Sequence, residues 1–252
     1  MKLTYSRGLL ALALTACAFS AHADEIQVAV AANFSAAAQK IAAQFEKDTG
    51  DTVRLSFGAT GKFYAQIEAG APFDVLLAAD QATPGKLVTD GKGVPATLRT
   101  YAIGRLVLWS ADANLVDGKG EVLKSDKWKH LSVADAKLAP YGQAARETLA
   151  ALKLTDGVQA RIVTAESIGQ ALQFVQSGNA ELGFVALGQV QPPDGSPVPG
   201  SMWRVPDKLY TPIRQDAVVI SATRSPQAAA AFVDYLASEK ARGVIKAYGY
   251  SW

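Results

Sequence analysis

The sequence predicts an α/β protein of two lobes, joined by two β crossings, with a ligand cleft between them. Three observations lead there. Apolar strand-like runs alternate with stretches of helical period along the chain after residue 24. Two extended segments, 98–110 (LRTYAIGRLVLWS) and 209–220 (LYTPIRQDAVVI), exceed an ordinary strand and bracket a middle block. No repeat of solenoid period and no low-complexity run interrupts the pattern. The first lobe is therefore expected to be discontinuous, 24–103 plus 211–252, and the second inserted, 104–210. One continuous doubly wound sheet is the competing arrangement, but two crossings favour lobes that hinge about a cleft.

The chain opens with a leader. Lys2 and Arg7 form a charged region, 8–18 is a short apolar run, and Ala21-His22-Ala23 is a small-x-small cleavage site. That is the pattern of a secretory signal peptide over 1–23, with Asp24 first in the mature chain. The apolar run is far short of the ~20 residues that a membrane span needs. Leu14-Thr15-Ala16-Cys17 resembles a lipoprotein box. The small-x-small site lies directly before the first strand, which favours a soluble periplasmic form over anchoring through Cys17.

Cleavage removes two basic residues and no acid, so 23 basic and 23 acidic side chains remain. A neutral chain gives no reason to expect nucleic acid or an anionic membrane surface as partner. Cys17 leaves with the leader, and His130 is the one histidine that stays. That excludes disulfides and argues against a His-based metal site or a Ser-His-Asp triad.

In the first lobe, 26–30 reads as a buried strand, followed by a small polar turn at Ala32-Asn33 and a helix over 35–48. The design repeats at once: strand 52–57, turn Gly58-Ala59-Thr60-Gly61, helix 62–69. A third apolar run, 73–79, reads as a parallel strand, and 81–89 as a weak helix broken by Gly91 and Gly93. In the second lobe, strand 132–134 leads through a turn carrying Pro140 and Tyr141 to a helix over 143–152. Strand 161–164 leads to a helix over 168–176, capped by Glu166 or Ser167 and stopped by Gly178. Strand 182–187 follows. The Pro- and Gly-rich 191–200 reads as a surface loop, 203–205 as a short strand, and 227–236 and 239–248 as the last helices.

The chemistry lies at the strand ends. Ala32-Asn33 offers an amide N–H and a side-chain NH2, and Thr60-Gly61 offers a hydroxyl and two N–H groups. From the second lobe Tyr141 offers a phenol, and Ile168 a backbone N–H at a capped helix start. Singly, each reads as a cap, a surface tyrosine or a core residue. Together they form an uncharged donor set from two lobes, suited to an anion. Each hydrogen bond to a charged group contributes roughly 1.5–3 kcal/mol, and helix N-termini add partial positive charge. Six or seven such donors reach micromolar binding, about −8 kcal/mol. An all-donor pocket also favours a fully deprotonated oxyanion. Lys62 reads as pointing back to solvent or pairing with a neighbouring acid rather than with ligand, and Arg105, Arg214 and Asp216 as hinge salt bridges.

Several blocks resemble the periplasmic molybdate-binding proteins of ABC importers over essentially the whole mature length. They are Val30-Ala31-Ala32-Asn33-Phe34-Ser35, Phe57-Gly58-Ala59-Thr60-Gly61-Lys62 and Gln66-Ile67-Glu68-Ala69-Gly70-Ala71-Pro72-Phe73-Asp74-Val75. Further on come Pro140-Tyr141-Gly142, Glu166-Ser167-Ile168, Leu182-Gly183-Phe184-Val185 and Tyr248-Gly249-Tyr250. The resemblance implies a type II periplasmic-binding fold that closes on a tetrahedral oxyanion, molybdate or tungstate, and delivers it to an inner-membrane permease. It implies no cofactor, no enzymatic activity and a monomer. Asn33 matches the first-loop ligand, Thr60 the second-loop serine, and Ile168 a main-chain donor. Two positions depart from one common pattern. Tyr141 replaces an alanine before the Gly of the Pro-x-Gly turn, and Ala186 replaces a ligand tyrosine, so the phenol moves to the opposite wall. The expected binding set is Ala32, Asn33, Thr60, Gly61, Tyr141 and Ile168. A receptor for sulfate is the nearest alternative, and an enzyme acting on an anionic substrate a remote one.

Overall fold

A computed structural model describes residues 23–252; residues 1–22, which hold Cys17 and all of the expected leader but Ala23, lie outside the described residues. The first lobe begins with β1 (Glu25–Ala31), a 3-10 turn (Ala32–Phe34), α1 (Ser35–Thr49), β2 (Thr52–Gly58), α2 (Thr60–Glu68), β3 (Val75–Leu77), α3 (Ala82–Thr89) and β4 (Arg99–Gly104). The second follows with β5 (Leu106–Ser110), β6 (Leu131–Ala134), α4 (Pro140–Ala151), α5 (Thr155–Gln159), β7 (Ile162–Ala165), α6 (Ile168–Gln176), β8 (Leu182–Ala186), α7 (Leu187–Val190) and β9 (Ser201–Arg204). The chain then returns to the first lobe in β10 (Ile213–Val219), α8 (Pro226–Tyr235) and α9 (Glu239–Ala247).

Two five-stranded sheets result, in the orders β2-β1-β3-β10-β4 and β7-β6-β8-β5-β9. In the first, β1 pairs in parallel with β2 and β3, while β10 lies antiparallel between β3 and β4. In the second, β6 pairs in parallel with β7 and β8, and β5 runs antiparallel to β8 and β9. The parallel strands feed helices at their C-terminal ends, where α/β folds place ligands. Helices cover both sheets, so the central strands are apolar on both faces; every residue of β3, β5 and β8 is buried.

The long segment 98–110 is broken at Arg105, and its halves belong to different sheets. Arg105 donates to Asp207 at 3.2 Å, and its carbonyl accepts from the Leu187 N–H, so it leaves the ladder. The return, expected as one strand over 209–220, is extended only from Ile213. A 3-10 turn at Asp207–Leu209 and Pro212, which lacks an N–H, delay it. Two helices begin earlier than expected. Pro140 occupies the first turn of α4, its fixed φ suiting a helix start, so Tyr141 lies on the helix rather than in a turn. Thr60 likewise opens α2.

One apolar cluster holds Leu106, Leu108, Trp128, Tyr141 and Phe184 and includes Ala31 and Ala79 from the first lobe. A second joins Phe34, Phe45 and Phe232 within the first lobe. Each large side chain so buried contributes about 1.5–3 kcal/mol. The lobes therefore share apolar contact around the strand ends that carry the candidate site.

Candidate oxyanion site

The first wall is the 3-10 turn between β1 and α1. Asn33 is buried there. Its side-chain NH2, expected as a ligand donor, is spent inside the protein: Nδ2 donates to Gln215 Oε1 at 2.8 Å and to Tyr250 Oη at 3.2 Å. What remains for a ligand is the main-chain N–H of the first turn, which a helix start leaves without an internal partner. Ala32 packs against the second lobe: a Cβ added at Gly169 would lie 3.1 Å from the Ala32 Cβ.

Thr60 is the first residue of α2, so its N–H is free of the helix ladder. Its Oγ1 accepts from the Ala79 N–H at 3.0 Å, which leaves the hydroxyl hydrogen to donate elsewhere. Gly61 differs from expectation. Its N–H donates to the Leu138 carbonyl of the second lobe at 2.9 Å and is not left over for a ligand. A Cβ at Gly61 would stand 3.1 Å from Leu138 Cα, so glycine permits the close approach of the two backbones.

From the second lobe, Ile168 opens α6. Ser167 caps that helix by accepting from the Gln170 N–H, at 3.2 Å, and the Ile168 N–H is left over. Gln189 braces this corner: its Nε2 donates to the Ile168 carbonyl (3.1 Å), and its Oε1 accepts from the Ala186 N–H (2.9 Å). Tyr141 projects from α4 to the crossing, where a Cβ on Gly104 would lie 1.9 Å from its hydroxyl. Its Oη accepts from Gln215 Nε2 at 3.3 Å. Burial, then the neighbouring hydroxyls of Tyr250 and Tyr101, push the Tyr141 phenol well above its ordinary pKa, so it remains a neutral donor.

The structure ties Asn33 to Tyr141 through Gln215 and sets Ala32 against Gly169 at the start of α6, while Thr60 bonds to Ala79. Three residues that the sequence reading missed join this network. Gln215 lies on β10, Tyr101 on β4, and Tyr250 near the C-terminus; all are buried. Tyr101 Oη is within 2.9 Å of the Ala78 carbonyl and 3.1 Å of Gln215 Oε1. Tyr250 Oη donates to the Asn33 carbonyl at 2.6 Å. Lys62 pairs with Glu166 across the lobes, Nζ to Oε2 2.5 Å. Asp216, expected in a hinge salt bridge, accepts from Thr100 and Gln81 instead. Beside the site a cavity of about 420 Å³ runs between the lobes, lined by Gly61, Ala79, Leu138 and Pro140 among others.

Comparison with known proteins follows the same lines. The family model described as "Bacterial extracellular solute-binding protein" matches residues 26–251. The molybdate-binding protein ModA of Azotobacter vinelandii is 55% identical, covering 99% of each chain. That of Rhodobacter capsulatus is 47% identical, covering 98% of this chain and 96% of the relative. Among solved structures, the periplasmic molybdate-binding protein of Azotobacter vinelandii superposes with a TM-score of 0.88 at 42% identity, covering 90% of this chain and 99% of that one. A sulfate-binding protein of Mycobacterium tuberculosis shares the fold, with a TM-score of 0.73 at 15% identity. The chain belongs to the bacterial extracellular solute-binding proteins, in the part of that family that holds these molybdate-binding proteins.

Proposed function

We propose that this protein captures molybdate, and with it tungstate, in the periplasm and delivers the anion to an ABC permease as a binding protein without enzymatic activity. The observation that carries the reading is the donor set: two hydroxyls and three main-chain N–H groups, drawn from both lobes, with no Lys or Arg among them. The donors are the N–H groups of Asn33, Thr60 and Ile168 and the hydroxyls of Thr60 and Tyr141. Ala32 and Gly61 form the wall at which the lobes meet. Lobe 1 (24–103 plus 211–252) and lobe 2 (104–210) close on the anion about the crossings at Arg105 and Pro212. Closure follows because only the closed form offers both halves of the donor set. The protein acts as a monomer and binds no nucleic acid.

A sulfate receptor would use the same donors. Close sequence identity to molybdate-binding relatives, against a bare likeness of fold to the sulfate-binding one, supports molybdate. Titration calorimetry with molybdate, tungstate, sulfate and phosphate tests the reading. Molybdate and tungstate are expected to bind at micromolar level or tighter, and no binding below about 100 µM, roughly 5.5 kcal/mol, overturns it. Tyr141→Phe should cost roughly 1–3 kcal/mol of molybdate affinity, the range for losing a hydrogen bond to a charge or leaving a buried group unpaired.

A further inference from the structure

A hydroxyl serves an anion only while its hydrogen points at that anion, and the bond its oxygen accepts fixes that direction. For Thr60 the backbone decides: Oγ1 accepts from the Ala79 N–H, a donor that cannot reverse. For Tyr141 the oxygen accepts from the Gln215 side-chain amide. An amide can turn over. Turned, Gln215 would present Oε1, take the Tyr141 hydrogen, and leave a lone pair facing the cleft.

The neighbours of Gln215 prevent this, and the direction of each bond can be traced from one end. Tyr250 has a single hydroxyl hydrogen, and it goes to the Asn33 carbonyl at 2.6 Å. Toward the Asn33 side chain Tyr250 can then only accept, so Asn33 turns Nδ2 to it. The same Nδ2 reaches Gln215 at 2.8 Å, which obliges Gln215 to present Oε1 there, beside the Tyr101 hydroxyl. Nε2 is left for Tyr141. The arrangement holds against a cost, since Asn33 Oδ1 is buried and accepts no hydrogen bond from any described residue.

We propose that Tyr250 and Gln215 are positioning residues that set the proton selectivity of the site: a one-way chain, Tyr250 to Asn33 to Gln215, holds the Tyr141 hydroxyl as a donor to the cleft. The site then takes tetrahedral dianions that carry no proton and rejects those that keep one, because an O–H on the ligand meets only donors. This rests on the reading of Tyr141 as a ligand donor.

Tyr250→Phe and Gln215→Glu test it, with molybdate and hydrogen arsenate titrated by calorimetry at about pH 9. The quantity read is the ratio of the two dissociation constants relative to the unmodified protein at the same pH, so that ligand ionisation cancels. Without the Tyr250 hydroxyl the two amides can turn, and the ratio should move at least about tenfold toward hydrogen arsenate, the worth of one hydrogen bond to a charged group. The ionised carboxylate of the Glu variant accepts the Tyr141 hydrogen outright and should move the ratio the same way. A merely structural role would weaken both anions together. A ratio within about twofold of the unmodified protein in both variants overturns the proposal, and Tyr250→Phe decides alone if the Glu variant fails to fold. Tyr141→Phe with unchanged molybdate affinity would instead overturn the reading on which it rests.

Discussion

A methyl group at Gly104 is enough to test how tightly the phenol is placed. The added Cβ would lie 1.9 Å from Tyr141 Oη and 2.6 Å from Gln215 Nε2, far inside contact distance, and both atoms are buried ends of side chains with little room to give. Overpacking of this kind costs typically 1–3 kcal/mol. Gly104→Ala is therefore expected to lower molybdate affinity at least about tenfold, roughly 1.4 kcal/mol, with a smaller loss in thermal midpoint. Calorimetry and a melt on one preparation check this; unchanged affinity would show that the hydroxyl need not sit where it does. At this scale the sequence reading succeeded at Ile168, which opens a capped helix after a strand, and placed Thr60 in a turn where it in fact opens α2. It misassigned the Asn33 NH2, because the partners of that group lie 182 and 217 residues away along the chain. Gln215 was hidden for a local reason. A register shift in the β10–β4 pairing lies between Gln215 and Asp216, so two consecutive polar residues are both buried and the alternation of a strand is lost.

Two helices face each other across the cleft by their first turns. Lys62 of α2 pairs with Glu166, two residues before α6, and Gly61 bonds to Leu138 just beside them. These contacts exist only with the lobes together, so they favour the closed form whether or not they touch ligand. The ion pair is partly exposed, its side chains retaining 43% and 69% of their accessible surface, and such pairs contribute about 0–1 kcal/mol. Glu166→Gln and Lys62→Gln should therefore each weaken molybdate binding by no more than about fivefold at low salt. The difference should vanish near 1 M salt, where screening acts within about 3 Å. A double-mutant cycle by calorimetry at both salt concentrations measures it. A loss beyond tenfold that persists at high salt would instead make Lys62 a ligand. The alternation of elements was legible from apolar periodicity, and the passage at 98–110 from its length. The short helices α5 and α7 were not, since four or five residues carry too little period to be read.

For the molecule as a whole, neutral donors and buried phenols make opposite predictions for binding and for folding as pH rises. Burial first raises the pKa of Tyr101, Tyr141 and Tyr250 above the ordinary value, and nearby hydroxyls add to the rise for Tyr101 and Tyr141. All three stay protonated in the folded protein through neutral and mildly alkaline pH. Molybdate affinity should accordingly be level between about pH 6 and pH 9, since no donor of the proposed set titrates there. In the unfolded chain the same phenols ionise near pH 10. Above that pH the unfolded state sheds protons that the folded state retains, so the linkage runs against folding. The stability that these tyrosines contribute is fully present below about pH 10 and is lost as pH climbs through the raised folded values. Urea unfolding at about pH 8, 10 and 11 should show a falling free energy, and Tyr101→Phe should make the fall shallower while lowering stability at pH 8. An equally steep fall in that variant would locate the alkaline sensitivity outside the buried cluster. Level binding below pH 9 would still hold in that case, because it depends only on the donors around the anion remaining neutral.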